Sequence, residues 1–306
     1  FVTSAENMLP PDNFQEDPLP LVAHRTSPTN IGLYLLSIAS AREFGWLGLS
    51  DAVGRIEATL ATARRMEKHN GHLYNWYETT TLRPLEPRYV STVDSGNLAA
   101  SLCILHQACQ RLRDAPVFRW SRFEGMADTF GLLDDFLGEL RVAPVIPLLE
   151  EVRLLARDLR DGVRAVEADP VAWRPALDYV AGEGWTRLET LLTRFVAENA
   201  ADLGTDVLSS LRIVVGRISN QIYTFHRAVE RLLPGLVWLR ECPSLFRDPG
   251  MPIDMGEPLF ALVETLRVVP SFAGHPAACM TAEAALDRLL AALNRLPAQR
   301  YGAAQL

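Results

Sequence analysis

The chain has 306 residues, 48% of them hydrophobic and 22% charged, which is enough apolar material for one large core or two medium ones and excludes a disordered, collagen-like or small disulfide-stapled chain. Its formal charge is −7 and its isoelectric point about 5.5, with 30 basic residues scattered among 37 acidic ones. That balance offers no basic footprint for a nucleic-acid backbone, so nucleic acid is not an expected partner.

Lys68 is the single lysine. The four cysteines, at 103, 109, 242 and 279, form no CxxC and no Cys/His spacing, which points to buried free thiols in a reducing compartment and to no metal or cofactor. No stretch reaches 18 uninterrupted apolar residues, and FVTSAENMLPPDNF has neither a basic nor an apolar leader region, so the segment is expected to be soluble and not to insert in a membrane. A chain that starts at Phe1 and stops at Leu306, just past a helical segment, reads as a piece of a longer polypeptide.

Residues 1 to 28 are proline-rich and polar without helical or strand periodicity, and read as an ordered loop. The spacing then predicts a helix over 29–44, with Ser27 or Thr29 as its cap, Ile31, Tyr34, Leu35, Ile38 and Ala41 on one stripe, and Gly45 as its end. A second helix opens at Ser50-Asp51 and runs to Asn70-Gly71 as a left-handed C-cap. Residues 71–95 carry aromatic and β-branched residues with Pro84 and Pro87, a short extended excursion, and a third helix follows over 96–113 with Asp94 or Ser95 as its cap.

Beyond about residue 115 polar motifs thin out and Leu, Ala, Val, Arg and Glu recur at helical spacing. Ser121-Arg122-Phe123-Glu124 has the pattern of a capping box. Further helices are predicted near 145–168, 171–181, 185–200, 205–233, 257–268 and 281–296. In the segment 205–233, Leu211, Val214, Ile218, Ile222, Phe225, Val229 and Leu232 form the seam of a long packed helix. No repeat of 20 to 50 residues emerges, so a solenoid is disfavoured. The expected fold is all-α: alternating helices with one polar, aromatic-rich side suit a helical barrel, divided into a motif-rich part, 1–114, and a helical extension, 115–306.

The chemistry is concentrated before residue 110. Asn13, Glu16 and Asp17 lie in one loop cluster; His24, Arg25 and Asn30 surround a predicted helix start; Asn75, Trp76 and Tyr77 form a third group; Asp94 and Asn97 a fourth. Carboxylate, amide and guanidinium beside indole and phenol suit a sugar, whose vicinal hydroxyls want planar polar partners and whose C–H face wants an aromatic ring. No glycine-rich phosphate loop, HExxH or GxSxG pattern occurs. Each cluster also has a plain structural reading. Residues 26–29 make a helix start with proline in its first turn, 94–97 a cap, Glu16-Asp17 a solvated acidic pair, and Asn75-Trp76-Tyr77 a loop anchor. His69, His72, His106, His226 and His275 have no partner spacing and read as structural or surface residues.

Together, LPPDNFQEDPLPLVAHRTSPTNIGLYLLS and GHLYNWYETTTLRPLEPRYVSTVDSGNLAASL resemble the middle region of bacterial cyclic β-1,2-glucan synthases, very large membrane enzymes. The resemblance is dense over about residues 8–110 and rests beyond 115 on helical character and length. It implies a partial (α/α)6-type helical barrel with a long helical insertion, similar to a retaining glycoside hydrolase, one that cuts linear β-1,2-glucan and rejoins its ends by transglycosylation. It also implies a location on the cytoplasmic side of the bacterial inner membrane and the other domains of the same polypeptide as partners. The principal catalytic acids are then expected after Leu306, with Glu16 and Asp94 positioning a β-1,2-glucan oligosaccharide, Trp76 and Tyr77 stacking on it, and Arg25, Asn30, Asn75 and Asn97 holding hydroxyls. Two other readings remain open from the residues: a non-catalytic helical scaffold within a multidomain glycan enzyme, and a barrel hydrolase for another glucan.

Overall fold

The computed structural model describes residues 1–140, 147–166, 168–241 and 253–295. Among these the chain is all-α in class, with ten α-helices and six strands of two residues each. It divides into two compact units, Phe1–Arg111 and Leu112–Leu306.

In the first unit, α1 (Pro28–Glu43) starts where its local chemistry dictates. Ser27 is extended, its hydroxyl accepts the Asn30 N–H at 3.2 Å, and Pro28 sits where no N–H is needed. Helix α2 (Leu49–Arg65) ends earlier than its spacing predicts. Asn70 and Gly71 do not cap it; with φ of 49° and 84° they form the two-residue turn of a hairpin between β4 (Lys68–His69) and β5 (His72–Leu73). An Asn-Gly pair suits both tasks, and two left-handed residues in succession make the hairpin turn. The C-terminus of α2 is closed instead by Lys68, whose ammonium donates to the carbonyls of Ala63, Arg64 and Met66 at 2.8, 2.9 and 2.9 Å. Three donors on one compact head satisfy a task that a planar guanidinium fork fits poorly.

Two further antiparallel pairs shape the loops. β1 (Phe14–Gln15) pairs with β2 (Leu21–Val22), and β3 (Arg25–Thr26) pairs with β6 (Tyr77–Glu78), placing Arg25 opposite Glu78 and Thr26 opposite Tyr77. Helix α3 (Thr92–Asp114) begins before the expected Gly96. Its first turn is held by Ser91, whose hydroxyl accepts the Asp94 N–H at 3.1 Å, so Asp94 lies inside the helix rather than capping it. The core of this unit is Leu9, Ile31, Leu35, Met66, Leu73, Tyr77 and Leu105. Because α3 packs through Leu98, Ser101 and Leu105, Cys103 and Cys109 face solvent; with Cys279 also exposed, the expectation of buried thiols is corrected for three of the four. Cys242 lies outside the described residues.

The second unit is built on α4 (Ser121–Glu139), α5 (Pro147–Arg164), α6 (Pro170–Tyr179), α7 (Trp185–Leu232), α8 (Pro234–Glu241), α9 (Ile253–Arg267) and α10 (His275–Leu293). Residues 145, 146, 167 and 296 of the predicted helices lie outside the described residues. Ser121 makes no cap hydrogen bond, because Trp120 before it already has helical φ and ψ and leaves Ser121 in the first turn; the expected capping box does not form. Asp169 does cap α6, accepting the Val171 N–H at 3.1 Å. Helix α7 runs through both predicted helices and leaves helical geometry at Gly204 (φ 66°, ψ 160°), between the two. The expected seam holds: Leu211, Ile218, Ile222, Phe225 and Val229 are buried against a core that includes Phe123, Phe130 and Leu133 of α4 and Val152, Leu155 and Leu159 of α5.

One carboxylate is sunk into that unit. Asp134 of α4 accepts from Arg153 Nε at 2.9 Å and Arg157 Nε at 2.8 Å, both on α5. Burial opposes its ionised form, but the hydrogen bonds and charges of Arg157 and Arg153 outweigh it, and the carboxyl is held below the usual carboxylate range. A depressed folded-state pKa stabilises above the ordinary carboxylate value, and the contribution disappears as pH falls through the depressed one. Asp134→Asn is therefore expected to lower the unfolding free energy by about 1–3 kcal/mol at pH 7, with the gap to the unaltered chain closing in acid. Denaturant titrations at several pH values check this, and a gap that does not change with pH would refute it.

Candidate functional site

The sequence groups the polar clusters only by type; the fold brings most of them to the start of α1. The organiser is Asp12, with an 18% exposed side chain. Its Oδ2 accepts from Arg25 Nε at 3.1 Å and Arg25 Nη2 at 2.9 Å, and its Oδ1 accepts from Asn30 Nδ2 at 3.2 Å. Asn13, exposed, donates weakly to the same Oδ2 at 3.4 Å. The Arg25 guanidinium, half exposed, lies 4.8 Å from the centroid of the Trp76 ring. The β3–β6 pairing explains that contact. Arg25 stands opposite Glu78, and Trp76 is two residues before Glu78 and therefore on the same side of the ladder.

The same alternation buries the neighbours. Asn75, Tyr77 and Thr79 are buried, while Trp76 and Glu78 are half-buried. Tyr77 is thus a core residue rather than a stacking surface. Its hydroxyl donates to Glu67 O at 2.6 Å and accepts the Tyr74 N–H at 2.7 Å. Asn75 is fixed through its backbone N–H to Tyr89 O at 2.9 Å, and its buried Oδ1 has no hydrogen-bond partner.

His24 points elsewhere. Its Nδ1 lies 2.9 Å from Glu6 Oε1, and the other oxygen of Glu6 accepts the Thr79 hydroxyl. The Asn7 amide then donates to the carbonyls of Thr79 and Thr80 at 2.8 and 2.9 Å, while Thr59 and Thr62 of α2 donate to the carbonyls of Met8 and Asn7 at 2.9 and 2.8 Å. The segment 6–8 is therefore a strap that fixes the loop carrying His24 and Arg25.

A third group joins α1 to α3. The Thr29 hydroxyl donates to Asp94 Oδ1 at 2.6 Å and accepts from Asn97 Nδ2 at 3.1 Å. Glu16 and Asp17 are not drawn in; they are exposed in the loop between β1 and β2 and carry no ion pair among the described residues. The sequence reading missed Asp12, Glu6 and Thr79, and named Thr29 only as a cap candidate. Asp12 adjoins a recognised cluster, but its pairing with an arginine 13 positions on has no periodic signature. Among the described residues no group of three or more His, Cys, Asp or Glu is placed to hold a metal ion.

The start of α1 thus gathers amide, carboxylate and guanidinium groups beside a half-buried indole. The comparison with known proteins agrees in kind with the sequence resemblance. The chain is 50% identical over 157 residues to the cyclic beta-(1,2)-glucan synthase NdvB of Rhizobium meliloti (strain 1021), a match covering 49% of this chain and 6% of that protein. It is thus similar to a region of that synthase and spans a small fraction of its length. No family model matches.

Burial, above all, pushes the Tyr77 phenol up to about 12. A raised folded-state pKa stabilises below the ordinary value, and the contribution is lost as pH climbs from about 10 towards 12. Tyr77→Phe is expected to cost about 1–3 kcal/mol at neutral pH by stranding the Tyr74 N–H and the Glu67 carbonyl. It should also remove a phenol that ionises near pH 12 from an alkaline absorbance titration; an unchanged titration curve would contradict the burial.

Proposed function

We propose that residues 1–111 form part of the glucan-binding surface of a cyclic β-1,2-glucan synthase segment and take part in the retaining transglycosylation that closes a linear β-1,2-glucan into a ring. One observation carries the reading: the 50% identity to a protein named as a cyclic beta-(1,2)-glucan synthase. The geometry supports a division of labour. Arg25 and Asn30, braced by Asp12, hold sugar hydroxyls; Trp76 offers its half-buried indole; Asp94 and Asn97 extend the polar surface along the start of α3. In this reading the helices contribute to an (α/α)6 barrel within a larger membrane enzyme.

Retaining chemistry needs two carboxyl groups about 5–5.5 Å apart, one nucleophile and one acid/base, and ring closure needs a sugar hydroxyl to intercept the glycosyl intermediate before water. A surface that holds the chain beside the reacting end raises the effective concentration of that hydroxyl. Binding and positioning are thus the roles assigned to these residues, with the acid pair supplied elsewhere in the enzyme.

For residues 112–306 a scaffold role is favoured by a specific feature: charged groups sunk into this unit pair with one another. Asp134 is taken by Arg153 and Arg157, and Asp178 by Arg174 at 2.7 Å and His226 at 2.9 Å.

Calorimetric titration of linear β-1,2-glucan into the folded chain, with β-1,3-glucan as control, tests the reading. Selective binding is expected, weakened about tenfold by Arg25→Ala and less by Trp76→Ala or Asp94→Ala. Absence of binding to a folded sample, or affinity untouched by all three substitutions, would sink it.

A further inference from the structure

The far end of α1 carries a feature that the candidate site does not use. Phe44 and Trp46 are 59% and 49% exposed, yet their rings are in tilted contact, with centroids 5.0 Å apart and planes at 35°. Scattered single exposed hydrophobics are ordinary on any surface. Two large rings fixed side by side are not scattered.

Their fixation comes from the way α1 ends. Phe44 N–H donates to Ser40 O at 3.0 Å, Gly45 N–H to Arg42 O at 3.1 Å, and Trp46 and Leu47 N–H fold back to Ala41 O at 2.9 and 3.2 Å. Gly45, at φ 80°, supplies the left-handed residue such a closure needs. The backbone beneath both rings is therefore held by main-chain hydrogen bonds, and a ligand that stacks there meets a preformed surface with little left to order.

We propose that the Phe44–Trp46 pair is a second sugar platform, which holds a distal stretch of the same β-1,2-glucan that the Arg25–Trp76 surface binds; the proposal rests on the glucan-binding reading above. Three observations favour a neutral polysaccharide as occupant. Aromatic faces match the C–H side of a pyranose. The charged group that adjoins the pair at the surface is Glu43, half exposed and 2.8 Å from the buried Arg42 guanidinium; a carboxylate suits hydroxyl donors and disfavours an anionic lipid surface. Finally, α1 has 16 residues, so the pair stands about 24 Å along the helix from Ser27 and Asn30, within one compact unit. A polymer bridges that distance and a short oligosaccharide does not. Linking two weak contacts along one chain gives avidity to long glucans alone.

The test uses the whole chain and two ligands, a long linear β-1,2-glucan and the β-1,2-linked trisaccharide, which is too short to reach from one end of α1 to the other. In the double variant Phe44→Ser/Trp46→Ser, affinity for the long glucan is expected to fall about three- to tenfold while that for the trisaccharide stays as it was. Trp46→Phe, which keeps an aromatic face, should recover most of the loss. A measurement on the unaltered chain stands beside these in case the double variant does not fold: the Trp46 indole N–H resonance should shift on adding the long glucan.

Equal long-glucan affinity in the double variant, equal weakening for both ligands, or an unmoved Trp46 resonance overturns the proposal and leaves the glucan-binding reading intact. So does binding to phosphatidylcholine vesicles that depends on the pair while glucan affinity does not. If the unaltered chain binds neither glucan, both readings fall together.

Discussion

The first unit depends on the carboxylate of Asp12. It sits at the edge of a short antiparallel ladder and accepts from Arg25 on β3 and from Asn30 in the first turn of α1. A charge-assisted contact to Arg25 and a neutral one to Asn30 converge on one little-exposed group, so a loop, a strand and a helix start share one point of fixation. Without it the guanidinium would lose its brace and its setting over Trp76, because a long flexible side chain is ordered only where something opposes its rotamer freedom. The strap through Glu6, Asn7 and Met8 does the same for the backbone beneath, using buried threonine hydroxyls of α2 as anchors.

The two units treat polar chemistry in opposite ways. In the second, Asp134 and Asp178 lie between helices and are answered by arginines and a histidine of the same unit. In the first, polar groups are tied to one another at the surface, so they are ordered and still half open, as with Arg25 and Trp76. Ordered and half open is the state in which a side chain binds a ligand at low entropic cost.

How much of this was legible depended on whether the cause was local. Ser27 and Pro28 announce the start of α1 because a cap and a first-turn proline act within one turn. The seam of α7 was readable because burial recurs with the helical period. Asn70-Gly71 misled because the same pair serves a helix end and a hairpin, and the choice was made by Lys68, which reaches back to close α2. The role of Tyr77 was hidden in its type: a tyrosine names a ring and a hydroxyl, whereas its place in the alternation from Asn75 to Thr79 decides whether the ring is offered or buried. Asp12 was invisible for a different reason, since its partners are set by strand pairing and by the entry of α1, neither of which leaves a spacing to count.

The carboxylates of the first unit also bear on what kind of work it does. A nucleophile needs an oxygen free to reach an anomeric carbon, and a general acid needs one free to reach a leaving oxygen. Asp12 has donors on both oxygens, Glu6 is held between His24 and Thr79, and Asp94 accepts a 2.6 Å hydrogen bond from Thr29. Glu16 and Asp17 stand apart, exposed in the loop between β1 and β2, with no ion pair among the described residues. Carboxylates already occupied as acceptors orient their neighbours. The arrangement fits the positioning role proposed for these residues and not that of a nucleophile or general acid.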